Sequence, residues 1–415
     1  MSGLGNQGNQ GNQGNQGNQG NQGNQGNQGN QGNQGNQGNQ GNQGNQGNQG
    51  NQGNQGNQGN QGNQGNQGNQ GGAGNQGNQG NQGLSHAGSG TSPYLSSALE
   101  MTREGVFGYW SGTKSRPPRP QRSEFDAFAA LDLPFRDTIV DAQINALGLT
   151  VDTSDENLAV LKLADQPLVT LTRPDLSNLD EQLAHMQAAQ DLRFDRMSEI
   201  HIQLTDILSF FANTAYLSIN ATPWTFEVIN AALRLAYRLE MQAKLHLDVA
   251  RPITVSHRVQ PIIQTPSHGS LPSGHATESF TLATVFDALT RPEPQSPHVL
   301  LGLMDDRTMG VAARIADNRT IAGVHYPMDS YAGALFGMAI GSVIVQAMTG
   351  TGLAGPVAFN ANESEMAFDK FTLAANLSSD SDGIVKDNTT PQIDKLSDDT
   401  ILAKMWAMAR AEMRL

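Results

Sequence analysis

Between residues 5 and 82 the chain consists almost wholly of Gly-Asn-Gln triplets and holds no large apolar residue. A segment with nothing to bury cannot offset the entropy lost on ordering, so residues 1–83 are expected to form a disordered arm. Glycine at every third position also permits collagen-like packing, but the tract has no proline to pre-set the backbone, which argues against a stable triple helix. Asn and Gln ladders leave self-association open, so a structural or adhesive role for the arm is one class of function to carry forward. Any core must come from the roughly 330 residues that follow, enough for one large domain.

That remainder reads mainly as helices from residue 123 to 346, with apolar side chains at three- and four-residue intervals. Examples are Leu183, Met186, Ala189 and Leu192, then Ile200, Leu204, Ile207, Leu208 and Phe211. Strand patterns are scarce. Residues 149–172, with Leu149-Thr-Val and Leu168-Val-Thr-Leu-Thr, read as a short hairpin or an extended segment. The expected fold is all-α: a helical catalytic domain over 84–352, then a polar extension over 353–415 ending in an amphipathic helix at about 398–414 capped by Ser397.

Three patches in this region share one chemistry. Lys244 and Arg251 lie seven residues apart in a helix-forming stretch, about two turns, which would put both cations on one face with Pro252 ending the helix. Two like charges on one face repel, so an anion is their natural partner. Pro272-Ser273-Gly274-His275 reads as a turn opening a helix over 276–289, where free backbone N–H groups and the macrodipole favour negative charge. His275 then stands beside the anion with a ring able to move a proton near neutral pH. In the third patch, Pro327 suits the first turn of a helix over 328–348, with His325 just before it and Asp329 in its opening turn. The carboxylate can accept from one nitrogen of His325 and leave the other free. Arg319 precedes His325 by six residues, so convergence needs a break, expected at Gly323. Taken singly, each feature has a bland reading as a solvated charge, a cap or a structural histidine.

In order, spacing and residue type the three patches resemble the vanadium-dependent haloperoxidases and their relatives, the type 2 phosphatidic acid phosphatases and bacterial non-specific acid phosphatases. Those families share a helical bundle and one anion site. The resemblance is carried directly by residues 244–329 and extends by helical character over 84–350. It implies that Lys244, Arg251 and Arg319 neutralise the equatorial oxygens of bound vanadate, with Ser273 and the Gly274 N–H donating to them. His325 would bind vanadium axially, His275 would be the acid–base group, and Asp329 would orient His325. Asn318 stands where the family often has Ser before the arginine, and Asn still donates a hydrogen bond.

The run from Pro272 to Thr277 is similar to bromoperoxidase sequences. His268, seven residues before His275, occupies the offset that lines the halide side there. The implied function is a vanadium-dependent haloperoxidase, with vanadate as cofactor, hydrogen peroxide and bromide or iodide as substrates, and a small organic acceptor for the hypohalous acid. The alternative is an acid phosphatase using a phosphohistidine intermediate at the same pocket, because vanadate mimics phosphate. Family members often form homo-oligomers, and nothing in the sequence fixes a number.

A formal net charge of −13 speaks against nucleic-acid partners. The chain has no cysteine, hence no disulfides, which suits an enzyme that releases an oxidant. No basic start with an apolar run and cleavage site opens the chain, so a cytoplasmic or non-classically exported protein is expected. Residues 332–348 approach membrane length but are rich in Gly and Ala, and are expected to be a core helix and not a membrane span. His201, His246 and His257 fit no zinc or iron spacing and read as structural, with a bond from His246 to the pocket's surroundings left open.

Overall fold

A computed structural model describes residues 93–106, 112, 120–175, 179–351, 355–387, 389, 391 and 393–414. The expectation of a disordered arm at 1–83 falls outside the described residues. Two compact units are present, and the described part of the first is helix α1 (Pro93–Val106), residue 112 and residues 132–135. The second unit comprises the described residues of 120–131 and 136–415.

From residue 120 the backbone runs through short α2 (Glu124–Phe128), α3 (Leu133–Asn145), strands β1 (Leu149–Asp152), β2 (Leu158–Leu163) and β3 (Gln166–Thr172), then α4 (Leu179–Ala189), α5 (Arg193–Ile202) and α6 (Leu208–Phe211). The long α7 (Pro223–Leu247) leads to one-turn α8 (Pro252–Val255), α9 (Gly274–Thr290), α10 (Pro297–Leu301), α11 (Arg307–Ile321) and α12 (Pro327–Thr349). Strand β4 (Val357–Asn360), α13 (Lys370–Ser379), β5 (Ile384–Lys386) and α14 (Ile401–Glu412) complete the order.

The all-α expectation needs correction, because the helices are joined by a five-stranded mixed sheet in the order β1-β2-β3-β4-β5. The 149–172 segment forms two antiparallel pairings, and β3 then pairs in parallel with β4 from far along the chain. β2 alternates inward at Ala159, Leu161 and Leu163, but its outward positions are also apolar except Lys162, so the period of two is masked in the sequence. The closing helix starts at Ile401 with Thr400, not Ser397, accepting the Ala403 N–H. Its Glu412 carboxylate accepts the Trp224 and Thr225 N–H groups, both at 3.1 Å, and so caps the start of α7.

Helix α7 buries Val228, Ala232, Leu235, Leu239 and Ala243 along one face. It stops at Leu247, because Asp248 takes a left-handed conformation with φ of 42°. Arg251 therefore does not share the helix with Lys244, contrary to the two-turn expectation. Pro252 disfavours helical backbone at the residue before it, and Arg251 is extended at φ −70°, ψ 148°.

Helix α12 carries Gly333, Gly337 and Gly341 at four-residue spacing, and this stripe faces α9. A Cβ at Gly333 would lie 2.6 Å from the Ser273 carbonyl oxygen and 2.7 Å from the Ala276 Cβ, and one at Gly341 would lie 2.6 Å from the Thr284 Cβ. The two backbones are thus in direct contact, with Thr281 donating to the Gly337 carbonyl at 3.1 Å. α12 is the one described helix long and apolar enough to cross a membrane, yet it is buried within the protein along almost its whole length.

Helix α11 is capped by Asp306, which accepts the Met309 N–H, and it ends at Gly323 with φ of 88°. There Gly323 N–H bonds to the Thr320 carbonyl at 2.9 Å and Val324 N–H to the Arg319 carbonyl at 3.1 Å. This Schellman closure is the break expected between Arg319 and His325.

Two glycine substitutions should separate the stripe from ordinary helix positions. Gly337→Ala forces a methyl into the Thr277 main chain and is expected to cost about 1–3 kcal/mol. Gly310→Ala meets nothing within 4 Å inside α11 and is expected to stabilise by about 0.5–1 kcal/mol. Denaturant unfolding of both checks the pair, and equal effects would remove the close-packing argument.

Candidate active site

Lys244, Arg251, Arg319 and His325 are each no more than 5 % exposed. All four converge where α9 and α12 begin. Ser273, the residue before α9, donates its main-chain N–H to the Asp329 carbonyl at 2.9 Å, which locks the two helix starts together. The Lys244 ammonium reaches across from the last turn of α7 and donates to the Pro272 carbonyl. Arg251 donates from Nε to the His268 carbonyl at 2.9 Å, from Nη1 to the Val324 carbonyl at 2.7 Å, and from Nη2 to His268 Nδ1 at 3.1 Å.

His325 bonds through Nδ1 to Asp329 Oδ2 at 2.9 Å, and its Nε2 accepts from Arg251 Nη1 at 3.1 Å. The same carboxylate oxygen also accepts the Tyr326 N–H at 3.0 Å. These bonds put the ring proton on Nδ1 and the lone pair on Nε2. Burial, then the cations Arg251 and Lys244, hold His325 well below its ordinary pKa, so the imidazole is neutral. Burial pushes Asp329 up to about 7, against the opposing pull of the Tyr326 N–H, Arg251 and Lys244.

His275 bonds through Nε2 to the Gln203 carbonyl at 2.8 Å. Nε2 is therefore the protonated nitrogen and Nδ1 carries the lone pair. Burial and the Arg319 cation bring its pKa down to about 3. His268 is likewise lowered, by burial and by Lys244. Along α9 from Gly274 to Leu289, only Gly274, His275 and Glu278 are not buried, so solvent reaches the helix along this side.

Donors without partners decide what the pocket can hold. Among the described residues, Arg319 Nε and Nη1 and the Ser273 hydroxyl are buried with no hydrogen-bond partner. Ser273 also makes no side-chain cap bond, so it does not consume the N–H groups of the first turn of α9. Each buried unpaired donor costs about 1–3 kcal/mol unless a ligand accepts from it. A tetrahedral or trigonal-bipyramidal oxyanion supplies acceptors in several directions at once, and the positive helix start favours its charge.

The structure brings together all the predicted site residues: Lys244, Arg251, His268, Ser273, Gly274, His275, Arg319, His325 and Asp329. It adds three that sequence reasoning passed over. Gln203, just beyond α5, accepts from Arg319 Nη2 at 2.6 Å and from Asn318 Nδ2 at 3.0 Å, a contact no local pattern announces. Glu240 lies one turn before Lys244, and its carboxylate packs so closely on Gly274 that a Cβ there would meet Oε1 at 2.6 Å. Glu278 follows His275 by three residues on α9. The helical spacings 240/244 and 275/278 were the available signal. Burial raises both glutamates, Glu240 well above the ordinary range and Glu278 to about 7. His246, for which a bond toward the pocket was open, instead bonds the Asp155 carbonyl at 2.7 Å.

Comparison with known proteins agrees with this geometry. Residues 227–352 match the PAP2 superfamily model, which includes phosphatases and haloperoxidases, and the chain therefore carries a PAP2 superfamily domain over that span. Residues 3–57 and 32–89 match the collagen triple helix repeat (20 copies) model, so the arm is collagen-like in its period despite its lack of proline. A search of curated proteins finds no match to the chain.

Lys244 is expected to make any anion binding at this pocket pH-dependent. Burial lowers its pKa to about 8, with Glu240, Asp329 and Glu278 opposing that shift and Arg251 reinforcing it. An anion prefers the charged ammonium, so affinity is full below about 8 and falls as pH rises, by up to about tenfold per unit. Calorimetric titration with sulfate, which does not itself ionise in this range, between pH 7 and 9.5 tests this. A flat profile would exclude Lys244 from the cradle.

Proposed function

We propose that this pocket is the active site of a vanadate-dependent haloperoxidase that oxidises bromide or iodide with hydrogen peroxide. The observation that carries the oxyanion site is the set of buried, unpartnered donors of Arg319 and Ser273, with the Arg319 cation near enough to His325 to help depress its pKa. Lys244, Arg251 and Arg319 would hold vanadate by charge, with Ser273 and the α9 N–H groups donating to it and His325 Nε2 as its nitrogen ligand. When bound, vanadate supplies Lewis-acid activation of a peroxide oxygen without a change of oxidation state.

The choice of oxidation over hydrolysis rests on the state of His275. Held neutral with its lone pair on Nδ1, it begins the cycle as a base and can take the proton of incoming hydrogen peroxide. Lys244 and the two arginines stabilise the charge that develops, more strongly in this desolvated setting than they could in water. His268, held by Arg251 at the rim, supplies a nitrogen beside the approach of the halide. The hypohalous acid then reacts with a small organic acceptor. With no cysteine in the chain, the most readily oxidised side chain is absent from its surroundings.

A phosphatase reading is favoured by one observation, the Glu278 carboxyl. Raised to about 7 by burial, it is a proton donor in neutral to acid solution one turn from His275. In that reaction His325 Nε2 attacks phosphorus, the P–O bond to the leaving group breaks, and the carboxyl proton goes to the departing oxygen. The phosphohistidine is then hydrolysed by water.

Purified protein freed of metal with EDTA, then supplied with orthovanadate, is expected to brominate monochlorodimedone with peroxide and bromide. No vanadate-dependent bromination together with brisk p-nitrophenyl phosphate hydrolysis would establish the second reading instead. His325→Ala is expected to reduce whichever activity is present by at least about a hundredfold, since the nitrogen is ligand or nucleophile in both.

A further inference from the structure

We propose that Gln203 is a positioning residue for the anion site, whose uncharged amide aims Arg319 at the oxyanion without neutralising it while its own carbonyl sets the tautomer of His275. The inference rests on the oxyanion reading given above.

One residue here holds two groups of the pocket by separate atoms. Its side-chain Oε1 accepts Arg319 Nη2 at 2.6 Å, leaving Arg319 Nε and Nη1 as the unpartnered donors. Its main-chain oxygen accepts His275 Nε2 at 2.8 Å. Gln203 is 2 % exposed, so neither bond competes with bulk water.

The placement of Gln203 is fixed from behind. Arg196, Glu199 and Gln203 fall on one face of α5 and its cap, at spacings of three and four. Arg196 donates to Asp317 at 3.2 Å and to Asn318 Oδ1 at 2.7 Å, and Glu199 accepts from Arg314 and Asn318, each at 3.0 Å. The charged members of this face thus pair with the charged or amide groups of α11 around the arginine. The position that touches Arg319 itself is neutral. A carboxylate there would form a charge-assisted pair with Nη2 that an incoming anion would have to oppose.

The test compares wild type with two variants by calorimetric titration of the full chain with inorganic phosphate. Gln203→Glu keeps the shape and the main-chain carbonyl but adds one negative charge. It is expected to weaken phosphate binding about tenfold or more, while 15N NMR shows His275 still protonated at Nε2. Gln203→Met, of similar length but without an acceptor, is expected to weaken binding by about threefold to tenfold through a less well aimed Arg319. It also stands in should the glutamate variant fail to fold. A folded variant of either kind that binds phosphate as tightly as wild type overturns the proposal. Wild type that binds neither phosphate nor orthovanadate overturns the oxyanion reading beneath it.

Discussion

The main-chain bond from Ser273 N–H to the Asp329 carbonyl, at 2.9 Å, joins the first turns of α9 and α12 and places two positive helix starts side by side. Such a bond needs the two helix axes unusually close together. Gly333, Gly337 and Gly341 provide that closeness, since a methyl at any of them would collide with α9. Once the two starts are fixed, the elements behind them follow. Asp329 in α12 orients His325, Ser273 and Gly274 open α9, and the α11 closure at Gly323 returns the chain from Arg319 to the same point. The packing of apolar helices and the geometry of the polar pocket are therefore one problem with one solution.

Gathering three buried cations in a protein of net charge −13 is an electrostatic demand that the surroundings meet unevenly. Near Lys244 stand Glu240 and Glu278, and near His325 stands Asp329, yet burial raises all three carboxyls and weakens their service as counter-ions. The two arginines are held mostly by neutral acceptors: the His268 and Val324 carbonyls for Arg251, and the Gln203 amide for Arg319. Neutral acceptors satisfy geometry without consuming charge. The outcome is a site with positive potential left over for an anion, in a protein whose exterior repels anions.

What could be read from the sequence was what is local. Pro-Ser-Gly-His announces a helix start through its own turn chemistry, the 325/329 spacing announces a histidine and its orienting carboxylate, and Gly323 announces a break because φ of 88° suits glycine. Arg251 was misplaced because seven residues match two helical turns, while the left-handed Asp248 that ends α7 leaves no such mark. The hairpin at 149–172 was legible, but the full sheet was not, because β2 has apolar residues on both sides and the parallel partner of β3, β4, lies almost two hundred residues downstream. Gln203 was invisible for a related reason. Its partners Asn318 and Arg319 are more than a hundred residues away, and an isolated glutamine beyond a helix has no motif.

The two histidines show how much of the chemistry lies in hydrogen bonds and not in residue type. Both rings are neutral, both are largely enclosed, and both sit among the same cations. Asp329 claims Nδ1 of His325 and leaves the lone pair on Nε2, where the Arg251 guanidinium meets it, whereas the Gln203 carbonyl claims Nε2 of His275 and leaves Nδ1. A carboxylate partner makes the first ring electron-rich, as a metal ligand or nucleophile requires. A neutral carbonyl fixes the second ring without adding negative charge beside it, so its basicity answers mainly to what binds in the pocket. An arriving anion would offset the cations that depress His275 and raise its affinity for a proton at the moment a proton must be taken. The division of labour between two identical side chains thus follows from one acidic and one neutral acceptor, supplied by elements more than a hundred residues apart.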